Sequence, residues 1–378
     1  MPDLVITNAK IVLGDEVIDA SLSVKDGMIA DFDHGRVSHG EDFGGDYLIP
    51  GLVELHTDHF ENHYRPRPGV TWNAMAALQS HDAQIAGAGI TTVFDAVRLG
   101  SDPEVGDISE DVAAQVGAIE TASGEDRLRA QHFVHLRCEL PTSDCYDHFA
   151  AHCALPVVKL ASMMDHTPGA RQYTTLEHYV AYYQKRMRLS DAEMAAFIGD
   201  RQAEQVKYSD VNRLAILTRG REVGLAFASH DDATVAHVDE ARRDGVVIAE
   251  FPTTLDAAKA AHSGGLAVLM GAPNVVRGAS HNGNISASDL AREGVLDVLS
   301  SDYVPFALLL AGFLLPERVE SITLPQAIRT VTSNPARAAR LDDRGEIAIG
   351  KRADLVRVRL VNGTPVVRSV WREGQRVN

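Results

Sequence analysis

The chain has 378 residues, 45% of them hydrophobic, enough for one large domain with a substantial core and a smaller domain beside it. Its formal net charge of −16 argues against a broad electrostatic grip on nucleic acid. An anionic substrate would have to be held by a metal or by local arginines. The three cysteines, Cys138, Cys145 and Cys153, are odd in number and form no Cys-x-x-Cys pair, which fits a reduced cytoplasm better than a disulfide framework. The first residues lack a basic segment followed by an apolar one, so no signal peptide is expected. The most apolar run, 304–315, is interrupted by Pro305 and closed by Pro316. It falls short of the roughly 20 residues a spanning helix needs and reads as a buried helix.

Residues 1–50 read as short strands: Leu4–Thr7, Lys10–Leu13 before Gly14-Asp15, and Ala20–Lys25 before Asp26-Gly27. Asp-Gly between such runs is a hairpin signal. The C-terminus, 345–370, has the same strand–turn–strand character, with a turn at Asn362-Gly363. Two incomplete β-ends predict one composite domain, 1–50 plus 344–378, with 51–343 inserted as a single body and the termini close together.

The middle alternates strands and helices. Strands are expected at 51–56, 90–95, 131–138, 155–164, 223–229, 245–250, 266–270 and 295–301, with helical text at 72–88, 112–121, 233–243 and 324–340. Such alternation implies a parallel sheet with right-handed crossovers, and eight strands suit a closed (β/α)₈ barrel. A doubly wound sheet is the alternative, but no Gly-x-Gly-x-x-Gly follows an early strand. Segment 174–220 is long for one crossover and predicts an inserted helical hairpin that can cover the barrel mouth.

The strand ends carry the chemistry. Strand one runs into His56-Thr57-Asp58-His59. Alternation puts His56 and Asp58 on one face, able to bind one metal, and His59 on the other. A satisfied polar pair in a turn is the plainer explanation. Strand three ends His135-Leu136-Arg137-Cys138-Glu139, with His135, Arg137 and Glu139 sharing a face. Buried, they need partners, and an Arg–Glu ion pair competes with a catalytic role for Glu139. Strand four ends at Asp165-His166, followed by Arg171 and Gln172, a candidate metal ligand and two candidate anion contacts. Lys159 lies near that strand's start, away from the catalytic end. Strand five presents His230 and Asp231, although a helix N-cap is the plainer role for Asp231 or Asp232. Glu250 closes strand six, as a ligand, an orienting group or a simple strand-end carboxylate. The loop after strand seven holds Arg277, His281, Asn282 and Asn284 among small residues, which suits phosphate oxygens. Asp302 closes strand eight, where an Asp can bind metal and accept a proton from water. That His or carboxylate closes strands one, three, four, five and eight is hard to obtain from folding needs alone.

Together these residues resemble the amidohydrolase superfamily of metal-dependent hydrolases, as do the outer signatures 49–53, 332–336 and 350–355. The resemblance implies a (β/α)₈ barrel with a small β-sandwich built from both termini. Within it the chain is similar to one branch, the α-D-ribose 1-methylphosphonate 5-triphosphate diphosphatase family of the carbon–phosphorus lyase pathway. The text that carries this is Glu54–Asp58, His135–Leu140, Met164–Gly169 with Arg171-Gln172, Gly271–Gly278 with Ser280-His281 and Gly283-Asn284, and Leu299–Pro305. The usual strand-one His-x-His is His56-x-Asp58 here, and the usual strand-four lysine is absent, with Glu139 standing in as a shared ligand. The resemblance implies hydrolysis of the ribose 5-triphosphate to the 5-phosphate and pyrophosphate. The implied metal ligands are His56, Asp58, Glu139, His166, His230 and Asp302, and Asp302 is the implied base. Arg137, Arg171, Gln172, Arg277, His281 and Asn284 would bind substrate. Zinc suits the mixed ligands, and manganese or iron also fit. Expected partners are the small phosphorylated substrate, with no nucleic acid or membrane, and homo-oligomerisation is left open. A C–N hydrolase of the same fold and a metal-free scaffold are the rival functions, with a carboxylate-pair glycosidase behind them.

Overall fold

A computed structural model describes residues 3–103, 106–171, 176–278 and 284–378. Strands from both ends of the chain share one sheet, as the sequence predicts. Leu4–Val12, Val17–Lys25, Met28–His34 and Tyr47–Pro50 come from the N-terminus, and Leu355–Val361, Thr364–Arg372 and Gln375–Arg376 from the C-terminus. Tyr47–Pro50 pairs antiparallel with Leu355–Val361, joining the two ends. The hairpins turn where Asp26-Gly27 and Asn362-Gly363 adopt positive φ (51° and 74°, 51° and 80°), the backbone that matches strand twist. The sheet buries Ile6, Ile11, Leu22, Val24, Leu48 and Leu355 around Phe43, which stacks on Trp371 at 5.9 Å and carries the Arg357 guanidinium 4.5 Å above its ring.

The second sheet holds eight strands in chain order: β1 (Leu52–Thr57), β2 (Ile90–Leu99), β3 (Gln131–Glu139), β4 (Val158–Met164), β5 (Ala226–His230), β6 (Ile248–Glu250), β7 (Ala267–Gly271) and β8 (Val298–Ser300). Register is parallel for β1–β2, β3–β4, β4–β5, β5–β6 and β6–β7. A parallel bridge from Thr57 to Asp302 brings the end of the last strand to the first, the closure of a (β/α)₈ barrel. Every residue of β1 is buried, as in a strand covered on both faces.

The chain divides into two compact units. One comprises Met1–Asp95, Ala122–Phe133 and Met270–Asn378, the other Ala96–Thr121 and Val134–Leu269. In the second unit the predicted insertion is two helices, Leu176–Met187 and the 32-residue Asp191–Glu222. Ser190 and Glu193 form a capping box at the start of the longer one. Tyr179 stacks on Tyr183 (4.4 Å) and on Phe197 (6.4 Å), pinning one helix to the other.

Two helical expectations need correction. The text of 324–340 is two short helices, Leu324–Arg329 and Ser333–Ala338. The break has a cause: the Leu299 and Val53 N–H groups take the Thr330 and Val331 carbonyls (both 2.9 Å), and Pro335 has no N–H to return to Val331. The apolar run is a helix as expected, but Ala307–Arg318 continues through Pro316.

Candidate metal centre and active site

In the first unit, His56 is buried in β1, and its N–H donates to Glu54 Oε1 (2.6 Å). Glu54 is fully buried and also accepts from Ser300 Oγ (2.6 Å) and the Ser301 N–H. Burial pushes its carboxyl up against the lowering effect of these donors. Glu54 therefore ties β1 to β8. The strand ends at Thr57, so Asp58 is the N-cap residue of a short helix, His59–Tyr64, and not a strand residue as the alternation argument assumed. The His59 ring turns to His63 and His81. Asp302 lies beside this segment: its carbonyl accepts from Thr57 Oγ1 (2.9 Å) and the Asp58 N–H (3.2 Å).

The second unit gathers three other expected ligands. Glu139 ends β3, His166 follows β4, and His230 ends β5. His166 Nδ1 donates to Glu139 Oε2 (2.6 Å), and its backbone N–H donates to Glu139 Oε1 (3.0 Å). His230 Nδ1 lies 3.1 Å from Glu250 Oε2. With Nδ1 committed to a carboxylate, each ring turns Nε2 toward Asp231 Oδ2, at 3.7 Å from His166 and 3.6 Å from His230. These separations are too long for hydrogen bonds and close to the edge of a metal coordination shell. Asp231 Oδ2 is buried and has no hydrogen-bond partner among the described residues. Histidines held by carboxylates through one nitrogen and converging through the other on an unpaired carboxylate oxygen fit a divalent metal.

The local electrostatics follow. Burial would raise the Glu139 carboxyl, but His166 and Arg98 (Nη2 at 3.9 Å) hold it well below the usual carboxylate range. Burial would lower His166, but Glu139 and Asp231 push it up to about 9. Burial would likewise raise Asp231, and it is held low by His230, His166 and Arg137. Neither Asp231 nor Asp232 is the helix N-cap expected there. Thr234 caps Val235–Arg243, and Asp232 accepts from Ser229 Oγ (2.5 Å) and Arg171. Asp231, Phe251 and Asp302, just past β5, β6 and β8, all hold left-handed backbone (φ 55°, 52° and 56°), a conformation rare for non-glycine residues and frequent at working sites.

Of the expected anion contacts, Arg137 is half-buried on β3 and Asn284 is half-buried. Arg277 is exposed at the end of the helix Ala272–Arg277. Arg171 is engaged by Asp232 and by Glu240 (2.8 Å). Gln172 and His281 lie outside the described residues. Lys159, near the start of β4, points to solvent. Sequence reasoning missed Glu54, Arg98 and Arg201. Glu54 left a signal, a carboxylate inside an apolar strand on the His56 face. Arg201, buried in the long inserted helix with Nη2 4.0 Å from Glu139, left none. The same helix lies over the ends of β3 and β4. Gln205 donates to Asp165 Oδ2 (2.6 Å), Gln202 to the Pro168 carbonyl (3.3 Å), and Asn212 to the carbonyls of Leu140 (2.9 Å) and Thr142 (2.8 Å).

A family model described as an amidohydrolase family matches residues 159–378. Among solved structures, 5-methylcytosine deaminase from Klebsiella pneumoniae superposes with a TM-score of 0.66 at 15% identity, covering 99% of this chain and 98% of that one. N-acetyl-D-glucosamine-6-phosphate deacetylase from Mycobacterium smegmatis gives 0.66 at 16% identity, covering 99% and 100%. At such identities the likeness carries the fold alone, a (β/α)₈ barrel with a β-sandwich from the termini. The chain belongs to the amidohydrolase family. Within that family it is 46% identical, over 377 residues that make up 99% of this chain and 100% of the relative, to α-D-ribose 1-methylphosphonate 5-triphosphate diphosphatase of Escherichia coli (strain K12).

Proposed function

We propose that the chain is a hydrolase that cleaves α-D-ribose 1-methylphosphonate 5-triphosphate to the 5-phosphate and pyrophosphate in phosphonate catabolism. The observation that carries the substrate is the full-length 46% identity with the diphosphatase. The His166–His230–Asp231 triangle supplies a fitting hydrolytic centre.

In this reading His166 and His230 would hold divalent metal in the second unit, and His56, Asp58 and Asp302 in the first, zinc being favoured by the imidazole-rich residues. Glu139, expected from sequence as a shared ligand, acts by holding His166, and Asp231 joins the ligands. When bound, the metal polarises a phosphoryl oxygen and makes water acidic near neutral pH. Asp302 accepts the proton of the attacking water. The water oxygen bonds to the α-phosphorus, the bond to the bridging oxygen breaks, and pyrophosphate leaves. Arg137, Arg171, Arg277 and His281, with Gln172 and Asn284, hold the phosphate oxygens and offset the charge that grows on the leaving group. The domain division at 50/51 and 343/344 belongs to the same proposal, as does a cytoplasmic, nucleic-acid-free setting. Among the described residues no helix is long and apolar enough to cross a membrane.

The test is ³¹P NMR of the substrate turned over in ¹⁸O water. Pyrophosphate release with label in the sugar 5-phosphate is expected. Orthophosphate as the phosphorus product, or no product from metal-replete protein, would overturn the assignment.

A further inference from the structure

A second group of histidines lies within the first unit and takes no part in the proposed reaction. His59 and His63 sit one turn apart on the helix His59–Tyr64, and His81 faces them from the helix Ala74–Gly87. At a spacing of four residues, two helical side chains share a face. Their rings gather accordingly, with centroids 5.0 Å apart for His59–His63, 5.5 Å for His59–His81 and 6.2 Å for His63–His81. One ring nitrogen from each lies within 4.8 Å of the other two.

The details point to a ligand. His59 Nδ1 and His81 Nδ1 are 3.2 Å apart. Two imidazole nitrogens bound to tetrahedral zinc at ~2.0–2.1 Å would be about 3.3 Å apart. His63 Nε2 is buried and has no hydrogen-bond partner among the described residues. His81 is fully buried and is oriented from behind: its Nε2 donates to Asp95 Oδ1 (2.7 Å), which leaves Nδ1 aimed at the other two rings. Asp95 is fixed in turn by His132 Nδ1 (2.7 Å), and His132 by Asp82 (3.3 Å). Asp82 accepts from the backbone N–H groups of Arg129 (2.9 Å) and Ala130 (3.0 Å). A carboxylate behind a histidine is the support that metal-bound imidazoles ordinarily have. A plain hydrogen bond between His59 and His81 would account for one contact. It would not account for the third ring, the orphaned nitrogen or the buried chain of partners behind His81.

We propose that His59, His63 and His81 form a second transition-metal site, suited to zinc or another divalent cation that favours imidazole, with its fourth position open to water. The site clamps the helix after β1 onto the helix Ala74–Gly87 and so fixes the segment that begins at Asp58.

The proposal is independent of the reaction assigned above, and its test is arranged to keep the two apart. Metal-free protein carrying His166→Asn and His230→Asn is titrated with Co²⁺ and followed by visible absorption. One equivalent is expected to bind with the intense bands of four-coordinate cobalt. Adding His63→Ala should abolish those bands while circular dichroism stays unchanged. If the doubly substituted parent does not fold, His59→Ala and His63→Ala in the otherwise native chain each should lower zinc content by one equivalent per chain. Failure of the folded parent to bind cobalt, or equal metal content with and without these substitutions, would overturn the site.

Discussion

Two carboxylates at strand ends have different work to do, and the difference is visible in which atoms they offer. Among the described residues, Asp231 Oδ2 has no hydrogen-bond partner and lies between two imidazole nitrogens. Both oxygens of Glu139 are taken by His166. Glu139→Gln therefore should not remove a ligand, but it weakens the hold on the ring that carries one. The expected result is a loss of metal affinity of about 10–100-fold, read by chelator competition. An unchanged affinity would show that Glu139 does not orient His166. Protonation of His166, whose pKa is pushed up to about 9, competes with metal. Metal uptake at pH 7.5 should accordingly release about one proton for this ring, measurable in weakly buffered solution, and affinity should climb as pH approaches 9. Asp95 is instead a buried charge held between two histidines. Burial would raise it, but His132 and His81 hold it well below the carboxylate range. Asp95→Asn leaves His132 with a weakened partner set in a fully buried position, and a loss of about 3–5 kcal/mol in chemical denaturation is expected.

At the scale of elements, strand order, strand number and the composite sheet were legible because each depends on local text: apolar runs, their spacing, and Asp-Gly or Asn-Gly turns. Every expected barrel strand appears, displaced by at most a few residues. The two helical corrections come from tertiary demands that local text does not contain. The carbonyls of Thr330 and Val331 are drawn off by the N–H groups of Leu299 and Val53, residues far away in sequence. In the candidate site, the gathering of Glu139, His166 and His230 was legible for the same reason as the strands, since these residues end or directly follow strands. What lay hidden were partners supplied from elsewhere, such as Arg201 behind Glu139, or His81 and His132 on either side of Asp95. The inserted helix Asp191–Glu222 shows how such partners act. Asn212 satisfies two buried carbonyls in the turn after Glu139. Asn212→Ala leaves both without a donor, so a destabilisation of about 1–3 kcal/mol and a lower melting temperature are expected. Turnover should fall with it, because that turn directly follows Glu139, the carboxylate that holds His166. A variant with native melting behaviour would mean that water replaces the amide without cost.

For the molecule as a whole, buried histidine–carboxylate chains set the pH range in which the metal-free protein is stable. His132 is pushed up to about 9: burial opposes its charge, but Asp95 and Asp82 more than offset that. In the unfolded chain a histidine titrates near 6.5. The folded state thus binds the proton more tightly, so this contribution is complete below about pH 6.5 and disappears as pH rises through about 9. Asp95 and Glu139 behave in the reverse sense. Held low in the folded state, they contribute above the ordinary carboxylate range, and the contribution is lost as pH falls below that range through their depressed folded-state values. Stability of the metal-free protein should therefore be greatest between about pH 5 and 7 and decline by a few kcal/mol toward pH 10. Guanidinium denaturation of chelator-treated protein at pH 7 and pH 10 measures the decline. Other groups also titrate by pH 10, so the decisive comparison is with His132→Gln, which has no proton to lose. Its midpoint should start lower at pH 7 and fall less between the two pH values. An equal fall in both proteins would place the pH sensitivity outside the His132 chain. Bound metal should oppose the decline from the other side, because His166 must shed its proton to become a ligand. The stabilisation conferred by a fixed excess of zinc should then grow from pH 6 to pH 8, where the metal-free protein is already losing its own support.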